Sequence, residues 1–220
     1  MNIRATLLAE FLGTAFLLMT IVGSGIMGEA LAGGQVGAAL LPHAIAIGAM
    51  LFVLITLFGP VSGAHFNPAV TLVFLIRREI APATAVMYIA IQIAAAIVGT
   101  LLAHLMFDLD IAQVSEKARH GPGQWAAEVI ATFGLVMVIL GGLRSAPYLI
   151  PIMVGAYICA ALWFTASTSF ANPAVTVARA LTNTFSGIQP QDVLPFLLAQ
   201  VTGAVLAIPV ANMVWRTPEE

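Results

Sequence analysis

Asn67-Pro68-Ala69-Val70-Thr71 and Asn172-Pro173-Ala174-Val175-Thr176 are the same five residues, written twice in one chain. Asn caps helix starts well, because its side-chain oxygen accepts from the unpaired amides of the first turn. Pro in the next position has its φ preset and lacks an amide that would have no partner there. Each copy follows a loop-like stretch and precedes an apolar run, so each predicts a helix start. Two such starts at matched places in a hydrophobic chain predict half-helices that meet inside a bilayer. Their positive ends would then line a polar path.

The surroundings of the repeat are those of a membrane protein. The chain has 220 residues, 60% hydrophobic and 8% charged, with a mean hydropathy of +1.02. A soluble domain carries about 25% charged residues. A spanning helix needs roughly 20 apolar residues, and six such runs lie at residues 5–27, 38–58, 82–106, 125–143, 148–167 and 192–214. The ten-residue alternating segments of a β-barrel are absent. The first run is too long for a signal-peptide core and has no polar break with a cleavage site, so it is expected to remain as helix one. A net charge of -2 argues against a nucleic-acid or anionic-lipid partner. The single Cys159 excludes an intrachain disulfide and a cysteine metal cluster. No nucleophile–base–acid set and no metal-ligand spacing appears, so neither an enzyme nor a cofactor is expected.

Orientation follows from Arg and Lys in short loops. Arg4, Arg77, Arg78, Arg144 and Arg216 fall on one side of a six-span arrangement, and Lys117, Arg119 and Arg179 on the other. The first set is expected in the cytoplasm with both termini, in the plasma or inner membrane. Residues 107–124 read as a polar external loop between two halves.

Those halves match beyond the pentapeptide. Ala9-Glu10-Phe11 opens helix one and Ala127-Glu128-Val129 opens helix four. Gln92 with Ala95-Ala96 corresponds to Gln200 with Gly203-Ala204. The chain is therefore one domain, 1–220, made of repeats 1–106 and 124–216, each reading helix, helix, re-entrant half-helix, helix. An odd number of full spans per repeat inserts the two with opposite topology. Glu10 to Asn67 is 57 residues and Glu128 to Asn172 is 44, and the surplus is expected in the Gly-rich stretch 29–37. Ten residues separate Asn67 from Arg77, about 15 Å of helix and about half of the hydrocarbon core. The approaches 59–66 and 166–171 are expected to be non-helical. Such backbone cannot face lipid, so it must line a water-filled path.

Glu10 and Glu128 are the carboxylates deep in the predicted spans. They read either as a proton relay or cation site, or as acceptors for the amides of a re-entrant loop. His65 reads as a gate by protonation or as a structural donor. His43 and His104 read as helix-end residues, His120 as a loop residue, the nine Met as packing, and Cys159 as core filler or a pore-facing group.

The stretch Ser62-Gly63-Ala64-His65-Phe66-Asn67-Pro68-Ala69-Val70-Thr71, with Asn172-Pro173-Ala174 and Ala9-Glu10-Phe11-Leu12-Gly13-Thr14, resembles the aquaporin family of water and small-solute channels. The resemblance covers nearly the whole chain. It implies an all-α membrane bundle of six helices and two half-helices, assembled as a homotetramer with one pore per subunit. It also implies that Asn67 and Asn172 donate to a passing oxygen while two inward helix ends disfavour protons and cations.

The family usually carries a second, narrower filter toward the outside, formed by four positions. The last is typically Arg, directly after the second Asn-Pro-Ala. Here it is Val175. Matching the remaining positions by spacing gives Ile47 on helix two, Ser169 in the second loop, and Ala160 or Leu162 on helix five. That set has no aromatic ring, His or Arg, so it implies a wider and more apolar, aquaglyceroporin-like opening. Arg179 lies one helical turn beyond Val175 and reads either as a charge in the outer vestibule or as an arginine bonded to loop carbonyls. The expected function is passive passage of small uncharged solutes (glycerol, urea, ammonia, metalloid species) and water. Alternatives are a water-selective channel, with Arg179 in the missing role, and a proton-coupled transporter using Glu10 or Glu128.

Overall fold

The computed structural model describes residues 2–215, and Arg216 lies outside them. The described residues form eight α-helices: α1 (Ile3–Leu31), α2 (Val36–Ser62), α3 (Pro68–Ile76), α4 (Pro82–Met106), α5 (Pro122–Ser145), α6 (Ile150–Phe164), α7 (Pro173–Arg179) and α8 (Pro190–Val214). A 3-10 turn, Pro147–Leu149, precedes α6. Five of the helices, and α6 together with the turn before it (Pro147–Phe164), are long and apolar enough to cross a membrane, while α3 and α7 have only 9 and 7 residues.

Both short helices start as their sequences dictate. The Asn67 side chain accepts from the Ala69 amide, and Asn172 accepts from the amides of Ala174 and Val175. Both caps are extended, with φ of -155° and -157°, and each hands over to a proline at the first helical position.

Within each repeat the first long helix packs on the other two: α1 on α2 and α4, and α5 on α6 and α8. The repeats are joined by α2 against α6 and by an exchange of the short helices. α3 touches α8 as well as α4, and α7 touches α4 as well as α8. Small residues let the backbones close up, as lipid-embedded helices require. At the α2–α6 crossing, a Cβ on Gly155 would stand 2.4 Å from the Gly48 carbonyl oxygen, and one on Gly48 would stand 2.7 Å from that of Gly155.

Two expectations change. The surplus of the first repeat is not a glycine-rich loop, because α1 continues to Leu31 and α2 begins at Val36. Most of it is helix: α1 and α2 have 29 and 27 residues, against 24 and 15 in α5 and α6. The approach to the first half-helix is also shorter than expected. α2 runs through Pro60 to Ser62 and ends on Gly63 at φ 83°, a left-handed cap that glycine adopts without a Cβ penalty.

Candidate functional site

The loops entering the two short helices repeat one another in conformation as well as in sequence. Gly63, Ala64 and Phe66 have positive φ, and so do Thr168, Ser169 and Ala171 at the matching distances before Asn172. Left-handed backbone at non-glycine residues costs of order 1–3 kcal/mol each and needs its surroundings to hold it. Two buried carboxylates do so. Glu10 Oε1 accepts from the His65 amide at 3.0 Å and its Oε2 from the Phe66 amide at 2.7 Å. Glu128 accepts from the Phe170 and Ala171 amides, both at 2.9 Å. A glutamine braces each carboxylate to the half-helix. Gln92 Nε2 donates to Glu10 at 2.8 Å and to Thr71 Oγ1 at 3.1 Å. Gln200 Nε2 donates to Glu128 at 2.6 Å and to Thr176 Oγ1 at 2.8 Å. Ser62 Oγ adds a fourth donor to Glu10 at 2.6 Å. Sequence reading missed the threonines, although they are the fifth residue of the repeat itself.

The two asparagines lock the halves together. Asn67 Nδ2 donates to the Ala171 carbonyl at 2.7 Å, and Asn172 Nδ2 donates to the Phe66 carbonyl at 2.9 Å. Each amide nitrogen carries two hydrogens, which leaves one per asparagine for the path that both residues line. Pro68, Ala69, Pro173 and Ala174 form the first turns behind them.

One continuous cavity runs past both loops. Its wall includes His65, Val70, Phe74, Leu143 and Ile150, and also Ile47, Leu162, Ser169, Val175 and Arg179. Of the two residues matched on helix five, Leu162 is buried and on the wall. Ala160 is exposed and off it, two residues away on a helix that turns 100° per residue. Cys159 is also off the wall, against Gly48. His65 does line the cavity, with Nδ1 3.1 Å from Thr71 Oγ1 and its ring stacked on Phe74 at 4.6 Å.

Arg179 combines its two readings. It is 4% exposed and lies on the cavity wall. Its Nε donates to the Ser186 carbonyl, and its guanidinium carbon stands 3.4 Å from the centre of the Phe170 ring. Arg119, from the loop between the repeats, reaches the same ring at 4.9 Å. It donates to the Gly187 carbonyl at 2.7 Å and to the Ser167 carbonyl at 3.1 Å, and its backbone amide donates to Asp192 at 2.6 Å. Sequence reading placed Arg119 only as an external charge. Nothing in a polar loop signals that one of its arginines folds inward.

His104 stands in the last turn of α4, as expected, and is also a buried brace: Nδ1 meets the Ile111 carbonyl at 2.9 Å and Nε2 meets Thr182 Oγ1 at 2.8 Å. His43 sits inside α2, 2.8 Å from Ser24 Oγ.

Paired half-helices around a single path define a transmembrane channel. The chain belongs to the major intrinsic protein family, whose model matches residues 1–167. It is 53% identical over 207 residues to the aquaglyceroporin AqpS of Rhizobium meliloti, covering 94% of this chain and 88% of that one. It is 33% identical over 214 residues to the glycerol uptake facilitator protein-like 6 of Lactiplantibacillus plantarum, covering 91% and 93%. The X-ray structure of the aquaglyceroporin from Plasmodium falciparum superposes with a TM-score of 0.75 at 20% identity, over 96% of this chain and 95% of that one. The protein is a multi-pass membrane channel for passive movement of water and small solutes, not an enzyme.

Proposed function

We propose that this channel is of broad selectivity, passing glycerol, urea, ammonia and neutral metalloid species as well as water. We propose further that it works as a homotetramer with one path per subunit, in a plasma or inner membrane with both termini cytoplasmic. One observation carries the solute reading: Ile47, Leu162, Ser169 and Val175, the four positions matched to the filter, all lie on the cavity wall, and three of the four are aliphatic. A constriction meant for water alone needs polar groups that replace the hydration of one small molecule and walls that exclude anything larger. Three aliphatic walls suit solutes carrying a short carbon or metalloid skeleton. The names of the two similar bacterial proteins, an aquaglyceroporin and a glycerol uptake facilitator, agree with this reading.

The water-selective alternative needs Arg179 at the constriction. Its backbone lies one helical turn beyond Val175, and its guanidinium is engaged by the Phe170 ring and the Ser186 carbonyl. Proton coupling needs a carboxylate free to exchange protons with the path. Both Glu10 oxygens and both Glu128 oxygens already accept from amides or side chains, and neither residue lies on the wall. Stopped-flow light scattering of proteoliposomes tests the reading: urea and glycerol gradients should relax far faster than in empty vesicles. Fast water movement with no entry of either solute would overturn it.

A further inference from the structure

The outer end of the path holds positive charge that no carboxylate pairs with. Arg179 and Arg119 are 4% and 8% exposed. Among the described residues neither guanidinium has a carboxylate oxygen within 4.0 Å. Buried cations are otherwise found paired, because desolvation is expensive. The carboxylates nearby are committed elsewhere: Glu128 holds the amides of Phe170 and Ala171 and the side chain of Gln200, and Asp192 holds the Arg119 amide and Gln189.

Arg119 places Nε and Nη1 on loop acceptors at Gly187, Ser167 and Thr168 and does not line the cavity. Arg179 does line it, and with fewer partners. Among the described residues its Nε bonds to Ser186, while its terminal nitrogens have no protein acceptor and belong to the cavity wall. Cation–π contact with Phe170 covers one face of the guanidinium and leaves those in-plane donors unused. Lys117 adds a third cation at the mouth, its Nζ 2.6 Å from the Phe185 carbonyl and 4.6 Å from that ring. Burial first, then the charges of Arg119 and Arg179, lower its pKa to about 8, with Glu29 pulling the other way.

A flat fork of two free donors fits the two oxygens of a carboxylate-like or sulfonate-like anion better than a spherical halide. We propose that the outer vestibule is a binding site for a small monovalent oxyanion, held by the terminal nitrogens of Arg179. The anion sits above the apolar wall of Ile47, Leu162 and Val175, which offers it no replacement for hydration, so it stays and obstructs neutral solutes. The site rests on the broad-selectivity reading only for the solute whose flux it slows, since an occupied mouth slows water as well.

Methanesulfonate is the probe, because it has no neutral acid form that crosses lipid. Urea and water fluxes into proteoliposomes are measured in methanesulfonate and in chloride at matched osmolarity and ionic strength. Methanesulfonate should slow both fluxes in a saturable way, while chloride should not. With each variant compared against its own fluxes in chloride, Arg179→Gln should lower the apparent anion affinity by roughly tenfold or more, the worth of a charge-assisted hydrogen-bond pair. Arg144→Gln, far from the vestibule, should behave as the parent does. Equal fluxes in the two anions, or undiminished inhibition in Arg179→Gln, would overturn the site. If Arg179→Gln does not assemble, Arg179→Lys replaces it, keeping the charge without the planar fork, and must weaken the inhibition. Water flux without urea flux would refute the broad-selectivity reading and still report on the anion.

Discussion

Val175 and Glu10 show two ways in which one residue can matter here. Val175 is 2% exposed and on the cavity wall. Val175→Arg should lower urea and glycerol flux by roughly tenfold, a typical loss when a pocket is filled, while water still passes. Equal solute flux in the variant would mean that Val175 does not line the constriction. The new arginine would also meet Arg179 four residues on, a like-charge pair on one helix face, so some loss of stability is expected. Glu10 matters through its four donors. In Glu10→Gln the new amide nitrogen must face a donor, at about 1–3 kcal/mol for each bond left unmade. Thermal unfolding in detergent should drop, and protein that does assemble should retain passive flux. Loss of all flux from assembled protein would instead favour a proton-coupled role. Both residues were legible in the sequence, Glu10 from its symmetric twin Glu128 and Val175 from its place after the second Asn-Pro-Ala. Arg119 was not, because its partners are backbone carbonyls at Gly187 and Ser167, which any sequence would supply.

At the scale of elements, the half-helices were readable because capping is local: Asn followed by Pro specifies a start within three residues. Lengths and crossings were harder. The α2 extension past Gly59 depends on Pro60 being tolerated in a membrane helix, where neighbours re-satisfy the freed carbonyl. The α2–α6 contact depends on two glycines 107 positions apart meeting. Gly155→Val should therefore destabilise the fold by about 1–3 kcal/mol through overpacking against backbone that cannot move aside. Gly37, with open space around its Cβ position, should accept Ala without loss. Paired thermal melts of the two variants check this contrast, and equal melting would remove the crossing from the account. The loop between the repeats gives a further test, because Lys117 is the only lysine in the chain. Its ammonium, packed on Phe185, is charged below about pH 8 and neutral above, so the mouth loses one positive charge as pH rises through that point. The rate of acylation of Lys117 by an amine reagent should reach half its maximum near pH 8; a midpoint near that of a free lysine, about 10.4, would contradict the packing.

For the whole molecule, the inverted repeat was visible as matched residues, and its consequence is a pair of identical braces, Glu10–Gln92–Thr71 and Glu128–Gln200–Thr176, on either side of one path. The proposed filter is not symmetric. Its four positions come from α2, α6, the loop before α7 and α7 itself, and spacing alone left Ala160 and Leu162 as equal candidates, of which only Leu162 lies on the cavity wall. The central claim is that these aliphatic positions open the channel to small neutral solutes beyond water. Stopped-flow relaxation of proteoliposomes in a glycerol gradient, set against the same vesicles in an impermeant osmolyte, tests it most directly. The account predicts water efflux followed by glycerol entry and rapid re-swelling, both absent at that rate from empty liposomes. Fast shrinkage with re-swelling no quicker than in empty liposomes would contradict it.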